Sequence, residues 1–111
     1  MNWIMNIKIP FMAEWHNVML DGKKTCTSRN KRYGKIGDTF EVFGARYEIT
    51  QIEQRNLLEV TANFYLAEGC ETSNEFIAVW DKIYPHKLWR GSQIVWVHHF
   101  KRLQEVIEYG L

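Results

Sequence analysis

Five short segments with strand composition limit the fold of this chain more than any other feature. Each is rich in β-branched or aromatic residues or alternates apolar with polar residues, and they span residues 5–9, 25–28, 39–43, 46–52 and 92–100. Gly44 and Ala45 separate the third segment from the fourth, which predicts a hairpin with a tight connection. So many short strands in 111 residues most economically close into a β-barrel or a strongly curled sheet, because closure removes exposed edges.

Three further segments have the periodicity of helices. They cover residues 11–20, residues 60–68 and the residues between Thr72 and Pro85. A glycine follows each of the first two, as expected for helices that end in a left-handed cap. Thr72 lies three residues before Glu75, a spacing typical of a capping box. The order of strands and helices predicts an α+β fold with about three flanking helices, organised as one domain over residues 1–111.

The charge and the cysteine content exclude several classes of protein. A formal net charge of +1, with a pI near 7.8, is too small for a protein that holds nucleic acid by bulk charge, so a cationic site must be local. Cys26 and Cys70 lack metal-type spacing and predict a reduced, cytoplasmic location. The adjacent His98 and His99 point to opposite faces of a strand and make a poor metal pair. Residues 1–10 resemble neither a signal peptide nor a membrane span.

Residues 22–29 gather three cations, three hydroxyls and a thiol at the exit of the first predicted helix. If this stretch were a flat strand, Lys24 and Thr27 would point to opposite faces. The two side chains converge only if Lys24 belongs to the turn after Gly22. The competing interpretation is that Lys24 is solvated and that Thr27 serves strand propensity, since most charged residues beside turns are exposed.

The same stretch is part of a longer pattern. Gly22, Lys24, Thr27 and Arg29 fit the motif Gly-x-Lys-x-x-(Glu or Thr)-x-Arg at the end of a helix. Further matching features follow in order at residues 35–38, residues 67–69 before the capped helix, residues 83–85 and residues 95–97. On these features the chain resembles the ASCH family, small β-barrel domains related to the PUA domains of RNA-modifying proteins. The resemblance covers nearly the whole chain.

The resemblance implies recognition of RNA or a modified pyrimidine nucleoside in a cleft beside the barrel. Some small bacterial members of the family remove the acyl group from N4-acetylcytidine through a Lys, Thr and Glu arrangement. Carried onto this sequence, the lysine is Lys24 and the threonine is Thr27. Glu68 is the nearest match for the glutamate, and Glu71 is the other candidate because the spacing to the capped helix differs by one residue. Neither a cofactor nor a metal is expected.

Amide hydrolysis needs a nucleophile, a group that activates it and a proton donor for the leaving amine. The Thr27 hydroxyl is suited to attack the acyl group or to orient a water. Lys24 would accept the proton, and Glu68 would pass it to the cytosine amine. A catalytic role for the Cys26 thiol is a lesser alternative, since the sequence offers it no evident histidine partner.

The predicted substrate-binding residues are Arg29, Lys23, Arg32 and Trp89. The planar fork of Arg29 suits a phosphate or a carboxylate, although an ion pair with Glu41 or Glu48 would serve structure alone. Trp89, in a predicted loop, is suited to stacking on a base, whereas Trp80 on the helical stripe is interpreted as core.

Two other functions remain open at this point. A noncatalytic RNA-binding module would use the same cleft together with Lys31, Arg32 and Trp89. A ribonuclease would also use the lysine and the hydroxyls, but on a longer RNA. Trp3 and Trp15 are assigned to packing.

Overall fold

A computed structural model describes residues 3–104 of the chain. Within this range the elements are β1 Asn6–Ile7, α1 His16–Leu20, β2 Cys26–Arg29, β3 Thr39–Val42, β4 Ala45–Asn56, α2 Leu57–Asn63, α3 Ser73–Ile83 and β5 Ile94–Arg102. A short 3-10 turn at Ala13–Trp15 leads directly into α1. No helix in the described range is long and apolar enough to cross a bilayer. The predicted α+β class and the three helices are confirmed.

The strands form one curled, mixed sheet in the order β1-β3-β4-β5-β2. β1 pairs with β3 in parallel, and every other neighbouring pair is antiparallel. β1 and β2 are the two edges, so within residues 3–104 the sheet stays open and the closed barrel does not form. β1 covers only two residues and is followed closely by Pro10, which cannot donate a ladder hydrogen bond.

β4 and β5 form the centre of the sheet. β4 is 12 residues long and runs beside the whole of β5, with a register shift between Ile49 and Gln51. An extra residue of this kind bends a strand and increases its twist, which helps to curl the sheet. The predicted hairpin is confirmed, because β3 and β4 pair from Val42 and Ala45 onward.

An aromatic cluster packs on one face of the sheet. Phe40 and Tyr47 face each other across β3 and β4 with ring centroids 5.4 Å apart, and the edge of Phe100 meets both rings. All three are almost fully buried, which contributes roughly 1.5–3 kcal/mol for each large side chain. Trp3, assigned to packing from the sequence, is instead 70% exposed, so that assignment is wrong.

The helices depart from their predicted limits where capping chemistry differs. α3 begins as expected, because the Thr72 hydroxyl accepts a hydrogen bond from the Glu75 N–H at 3.1 Å. α2 starts earlier than predicted because the Asn56 side chain caps it in the same way, through the Glu59 N–H at 2.8 Å. The region at residues 11–20 is helical only from Ala13, with no side-chain cap at Met12.

Candidate functional site

The turn after α1 places Lys24 outside the strand. Gly22 has a φ of +83°, and the Lys24 N–H donates back to the carbonyl of Val18 at 2.8 Å. β2 begins only at Cys26. Lys24 therefore belongs to the turn, so the period-two argument that would separate it from Thr27 does not apply. Lys24 and Thr27 line the same cavity.

Lys24 forms a buried ion pair with Glu68, which is 44 positions away in the chain. Its Nζ lies 3.3 Å from Glu68 Oε1, and the two side chains are only 2% and 6% exposed. The same nitrogen donates to the carbonyls of Glu68 at 2.7 Å and Cys26 at 2.9 Å. It also lies 4.6 Å from the ring centroid of Trp15. The ammonium thus finds three oxygen acceptors and an aromatic face, which offset the cost of burying its charge.

Glu68 is held at both carboxylate oxygens. The Ser28 hydroxyl donates to Oε2 at 2.6 Å, opposite the contact with Lys24. The Cys26 thiol lies 3.7 Å from the same oxygen. Glu71, the other candidate, is exposed, and its backbone N–H donates to Glu75. Of the two carboxylates, only Glu68 lines the cavity.

Gly69 allows the α2–α3 connection to approach Lys24. Its φ is +93°, a backbone conformation that residues other than glycine rarely adopt. A Cβ atom at this position would lie 3.1 Å from Lys24 Cβ and 3.3 Å from the Trp15 ring. The N–H groups of Thr25 and Cys26 both donate to the carbonyl of Ala67, at 2.7 and 3.1 Å, and fix the connection against β2.

Arg29 lies beside Thr27 and does not pair with the carboxylates expected for a structural role. Its Nε donates to Thr27 Oγ1 at 3.1 Å, and its Nη2 donates to the Pro10 carbonyl at 2.6 Å. Its guanidinium lies 4.9 Å from the ring centroid of Phe11. Burial lowers the pKa of Arg29 from its usual value. Within residues 3–104 no carboxylate forms an ion pair with it.

The two carboxylates proposed as structural partners of Arg29 are engaged elsewhere. Glu41 pairs with Arg46 at 2.7 Å, and Glu48 pairs with Lys101 at 3.5 Å. The structural interpretation of Arg29 through these residues is therefore wrong. The Arg29 guanidinium therefore lies beside the cavity, where its hydrogen bonds go to a neutral hydroxyl and a backbone carbonyl.

These polar groups and a set of aromatic side chains line a partly open cavity of about 350 Å³. The polar lining residues are Lys24, Thr27, Ser28, Arg29 and Glu68, and the aromatic lining residues are Phe11, Trp15, Tyr33, Phe76, Trp80 and Tyr84. Burial raises the pKa of Tyr84, so its phenol stays protonated around neutral pH. An apolar pocket of this size with a few convergent polar groups is typical of a small-molecule site.

His98 contacts the backbone of two residues that line the cavity, Thr27 and Tyr33. Its Nε2 accepts a hydrogen bond from the Tyr33 N–H at 2.9 Å, and its Nδ1 lies 3.2 Å from the Thr27 carbonyl. These two contacts select the neutral ring with the proton on Nδ1, and burial lowers the pKa of His98 accordingly. His99 bonds instead to Glu53 at 2.9 Å, so the two neighbouring histidines have separate partners. Residues 3–104 contain no cluster of three metal-ligating side chains.

Three of the predicted substrate-binding residues lie outside the cavity. Lys23 is 76% exposed and 3.9 Å from Asp21. The Nε of Arg32 donates to the Gly34 carbonyl at 2.9 Å. The indole N–H of Trp89 donates to Thr61 at 2.9 Å, so stacking on a base in the same cavity is not supported. A nucleophilic role for Cys26 is not supported either, because burial strongly raises the pKa of its thiol and keeps it protonated.

Sequence reasoning missed most of the aromatic wall. Trp80 and Tyr84 are four residues apart at the end of α3, with ring centroids 4.6 Å from each other. A helical stripe of aromatic residues has the same spacing whether it faces a core or a cavity, so the pattern carried no signal for a site. For Ser28 the sequence did contain a signal. Strand alternation places it on the same face as Cys26, close to the motif residue Lys24.

Comparison with solved structures identifies the fold. An ASCH domain from Lactobacillus crispatus JV V101 aligns with 88% of this chain and 77% of its own length, with 14% identity and a TM-score of 0.60. Protein EF3133 from Enterococcus faecalis V583, described as DUF984, aligns with 81% of this chain and 67% of its own length, with 16% identity and a TM-score of 0.59. The hypothetical protein PH0355 aligns with 93% of this chain and 100% of its own length, with 17% identity and a TM-score of 0.64. No protein-family model and no curated protein matches the sequence.

The chain therefore has the fold of ASCH domains, and the resemblance stated from the sequence is confirmed at the level of fold. At these identities the likeness carries no information on substrate or reaction.

Proposed function

We propose that this protein hydrolyses the amide of an N4-acylated cytidine, releasing cytidine and the free acid, in the cavity formed by Lys24, Thr27 and Glu68. One observation carries the proposal: the Lys24–Glu68 ion pair is buried at the wall of an aromatic cavity that Thr27 also lines. A cation, a carboxylate and a hydroxyl in one pocket supply the groups that amide hydrolysis requires. Buried ionisable groups beside a cleft are characteristic of functional sites.

The shape of the cavity suits a pyrimidine nucleoside. Its volume of about 350 Å³ lies at the small end of ligand pockets, and its aromatic side chains offer faces on which a planar base can stack. The polar side chains that line the cavity take the amide. Free Cys26 and Cys70 agree with a reaction in the reducing cytoplasm, where we place the protein.

The ion pair can supply both proton transfers. Lys24 first passes a proton to Glu68, across the 3.3 Å that separates Nζ from Oε1. In the structure Nζ bonds to Glu68 and Cys26 and Thr27 Oγ1 bonds to Arg29, so the neutral amine must first turn towards Thr27. It then takes the proton of the Thr27 hydroxyl as the Thr27 oxygen attacks the acyl carbon. As the bond from carbon to N4 breaks, Glu68 gives its proton to N4 and cytidine leaves. Water then cleaves the acyl ester on Thr27, which releases the acid and restores the hydroxyl.

Arg29 orients the nucleophile. Because its Nε donates to Thr27 Oγ1, the hydroxyl accepts that bond and its own proton stays available for transfer. The positive charge also stabilises the negative charge that develops on oxygen during attack. Arg29 thus acts on the reaction through a neighbour and through charge, rather than by proton transfer.

The proposal is tested by incubating the protein with N4-acetylcytidine and measuring cytidine and acetate together. The two products should appear in equal amounts, and Thr27→Val should abolish their release while Thr25→Val does not. Mass spectrometry should find one acetyl group on Thr27 after rapid quenching. Failure of the folded wild-type protein to release either product would overturn the proposal.

A second candidate is noncatalytic binding of single-stranded RNA, and one contact favours it. Lys31 Nζ lies 4.9 Å from the ring centroid of Tyr33, which lines the cavity, so a cation adjoins an aromatic side chain at the site. Such a pair suits a phosphate next to a stacked base. Binding of an oligonucleotide that weakens steeply with salt, without any release of acetate, would select this candidate.

A further inference from the structure

Arg29 is a cation of the cavity lining that has no anionic partner. Among residues 3–104, the lysines and arginines that are not exposed are Lys24, Arg29, Lys35 and Arg55. All of them except Arg29 form an ion pair: Lys24 with Glu68, Lys35 with Asp38, and Arg55 with Glu53 and Glu59. Because Lys24 and Glu68 offset each other, Arg29 leaves the lining of the cavity with one uncompensated positive charge.

The contacts of the Arg29 guanidinium are all with neutral groups that line the cavity. Its Nε donates to Thr27 Oγ1 and its Nη2 to the Pro10 carbonyl, and its centre lies 4.9 Å and 5.7 Å from the ring centroids of Phe11 and Tyr33. A guanidinium has five N–H donors. Even with the Tyr33 phenol as a third acceptor, donors remain in the fork for another group.

The remaining donors of Arg29 are open to a ligand. Arg29 is half-buried, not sealed in the protein interior. Within residues 3–104, the buried side-chain nitrogen and oxygen atoms without a partner belong to Tyr47, Trp80 and Gln93, and none belongs to Arg29. Removing a charge from water is costly unless an opposite charge accompanies it. A cation kept without a partner at a cavity is therefore best explained by an anion that enters with the ligand.

We propose that Arg29 binds a carboxylate at the far end of the acyl group, so that the preferred substrate is a cytidine whose N4 carries a dicarboxylic acid through one carboxyl group. The inference rests on the proposed hydrolysis at Thr27. Arg29 Nε lies 3.1 Å from Thr27 Oγ1, and during attack this oxygen lies about 3–3.5 Å from the acyl carbon. An anion on the same guanidinium is then only a few bonds from that carbon, whereas the base and the ribose separate a 5′-phosphate from N4.

Arg29 then acts as a specificity residue in addition to orienting Thr27. A planar carboxylate matches the planar guanidinium, and this bond uses N–H groups other than the one that Thr27 accepts. It would hold the acyl carbon beside the nucleophile. The overall reaction keeps its balance, because water supplies the OH of the released dicarboxylic acid and the proton that ends on N4.

The test uses two cytidines that cannot be hydrolysed and that differ in charge, N4-(3-carboxypropyl)cytidine and N4-(3-carbamoylpropyl)cytidine. Calorimetry should show that wild type binds the carboxylate about 10- to 100-fold more tightly, the range expected for a hydrogen bond to a charged group. Arg29→Gln should bind the two ligands equally. Arg102→Gln removes an exposed guanidinium outside the cavity and should keep the wild-type preference.

A measurement on wild type keeps the test decisive if Arg29→Gln folds poorly. The NMR signal of the Arg29 Nε–H group should shift on addition of the carboxylate ligand and much less with the carbamoyl ligand. Equal binding of the two ligands by wild type, or a preference that survives Arg29→Gln, would overturn the inference. Cytidine 5′-phosphate that binds more tightly than cytidine only when Arg29 is present would place the anion on the ribose side and also overturn it.

The same experiments separate this inference from the proposed hydrolysis. If the preference for the carboxylate appears but neither N4-acetylcytidine nor N4-succinylcytidine releases cytidine, the carboxylate site stands and hydrolysis fails. If cytidine is released but wild type shows no preference, only the inference about Arg29 fails. If wild type binds neither ligand and releases no cytidine, both fail together.

Discussion

The molecule has two clusters of opposite charges, one at the cavity and one at the surface, and they are built in opposite ways. In the site cluster, Lys24 and Glu68 are 44 positions apart and their side chains are 2% and 6% exposed. In the surface cluster, Arg55 contacts Glu53 and Glu59, two and four positions away, and these side chains are 18–41% exposed. Water screens the second set, so each of its pairs contributes at most about 1 kcal/mol.

The difference shows what the fold must provide to bury a charge pair. The surface cluster needs only neighbouring positions on a strand and the following helix. The site cluster needs the turn at Gly22 and the close approach of the backbone at Gly69. It also needs an oxygen acceptor for each of the three N–H donors of Lys24. Burying an ion pair brings little net stability, because desolvation offsets the attraction. Stability alone therefore does not explain such a pair, whereas chemistry in the cavity does.

The largest expected effect comes from breaking the site cluster. Lys24→Met should lower the free energy of unfolding by about 3–5 kcal/mol, because it leaves Glu68 as an uncompensated buried charge. Lys23→Met, at the neighbouring exposed position, should change it by no more than about 0.5 kcal/mol. Urea denaturation followed by tryptophan fluorescence measures both. Equal effects of the two variants would mean that the pair is not buried as described.

A smaller effect is expected where the backbone approaches Lys24. Gly69→Ala should cost about 2–3 kcal/mol, since it adds a crowded contact with Lys24 Cβ to the strain of a positive φ. Gly44→Ala is the matched control, because Gly44 also has a positive φ, +75°, but open space around its Cβ, and it should cost only about 1–2 kcal/mol. Thermal denaturation of both variants tests this order, and a costlier Gly44→Ala would contradict the packing described at Gly69.

His98, whose ring contacts the backbone of Thr27 and Tyr33, makes the stability of the protein depend on pH. Burial lowers the pKa of His98 below its ordinary 6.5, so the unfolded chain takes up this proton before the folded chain does. The contribution of His98 to stability is complete above pH 6.5 and decreases as the pH falls towards the folded pKa, by no more than about 1.4 kcal/mol per pH unit. Denaturation midpoints between pH 5 and 8 measure this slope.

Variants of the two histidines identify the source of that slope. His98→Gln should remove it, and His99→Gln, which alters the contacts of His99 with Glu53 and with the Phe64 ring, is the comparison variant. Asp38 and Glu53 do not interfere, because hydrogen bonds and nearby cations outweigh burial and lower their pKa values below 3.8 and 4.5, so their contributions are lost only at more acidic pH. A slope that survives His98→Gln would assign the effect to another group.

The smallest effect is expected in the surface cluster. Glu59→Gln removes one exposed ion pair of Arg55 and should change the free energy of unfolding by about 0.3–0.5 kcal/mol, with less change in high salt. Hydrolysis should stay at the wild-type rate, because Glu59 does not line the cavity. A loss of activity in this variant, measured at several salt concentrations, would show that the two clusters are coupled.

The fold was predictable from the sequence where its signals are local. α3 and the β3–β4 hairpin depend on a capping box and a two-residue connection, and both were expected close to their observed positions. The start of α2 was missed although Asn56 and Glu59 form a comparable cap. Whether five strands close into a barrel depends on how the edge strands β1 and β2 end, which no local pattern determines.

The site was predictable only in part, for related reasons. Lys24 and Thr27 were found through the motif, and Gly22 marked the turn that brings them to one cavity. Glu68 could not be distinguished from Glu71 by spacing, since a contact across 44 positions leaves no periodic signal. The aromatic stripe of α3 was interpreted as core, because Trp80 is buried in either case and the cavity beside it exists only in three dimensions.

The most direct test of the central claim compares Lys24→Arg with Lys23→Arg in the hydrolysis of N4-acetylcytidine. Both variants keep a positive charge, and circular dichroism first verifies that both are folded. If Lys24 performs proton transfer in the cavity, Lys24→Arg should lower kcat by at least about 100-fold, while Lys23→Arg should retain the wild-type rate. Equal rates for the two variants would contradict the account, because the buried lysine would then have no part in the reaction.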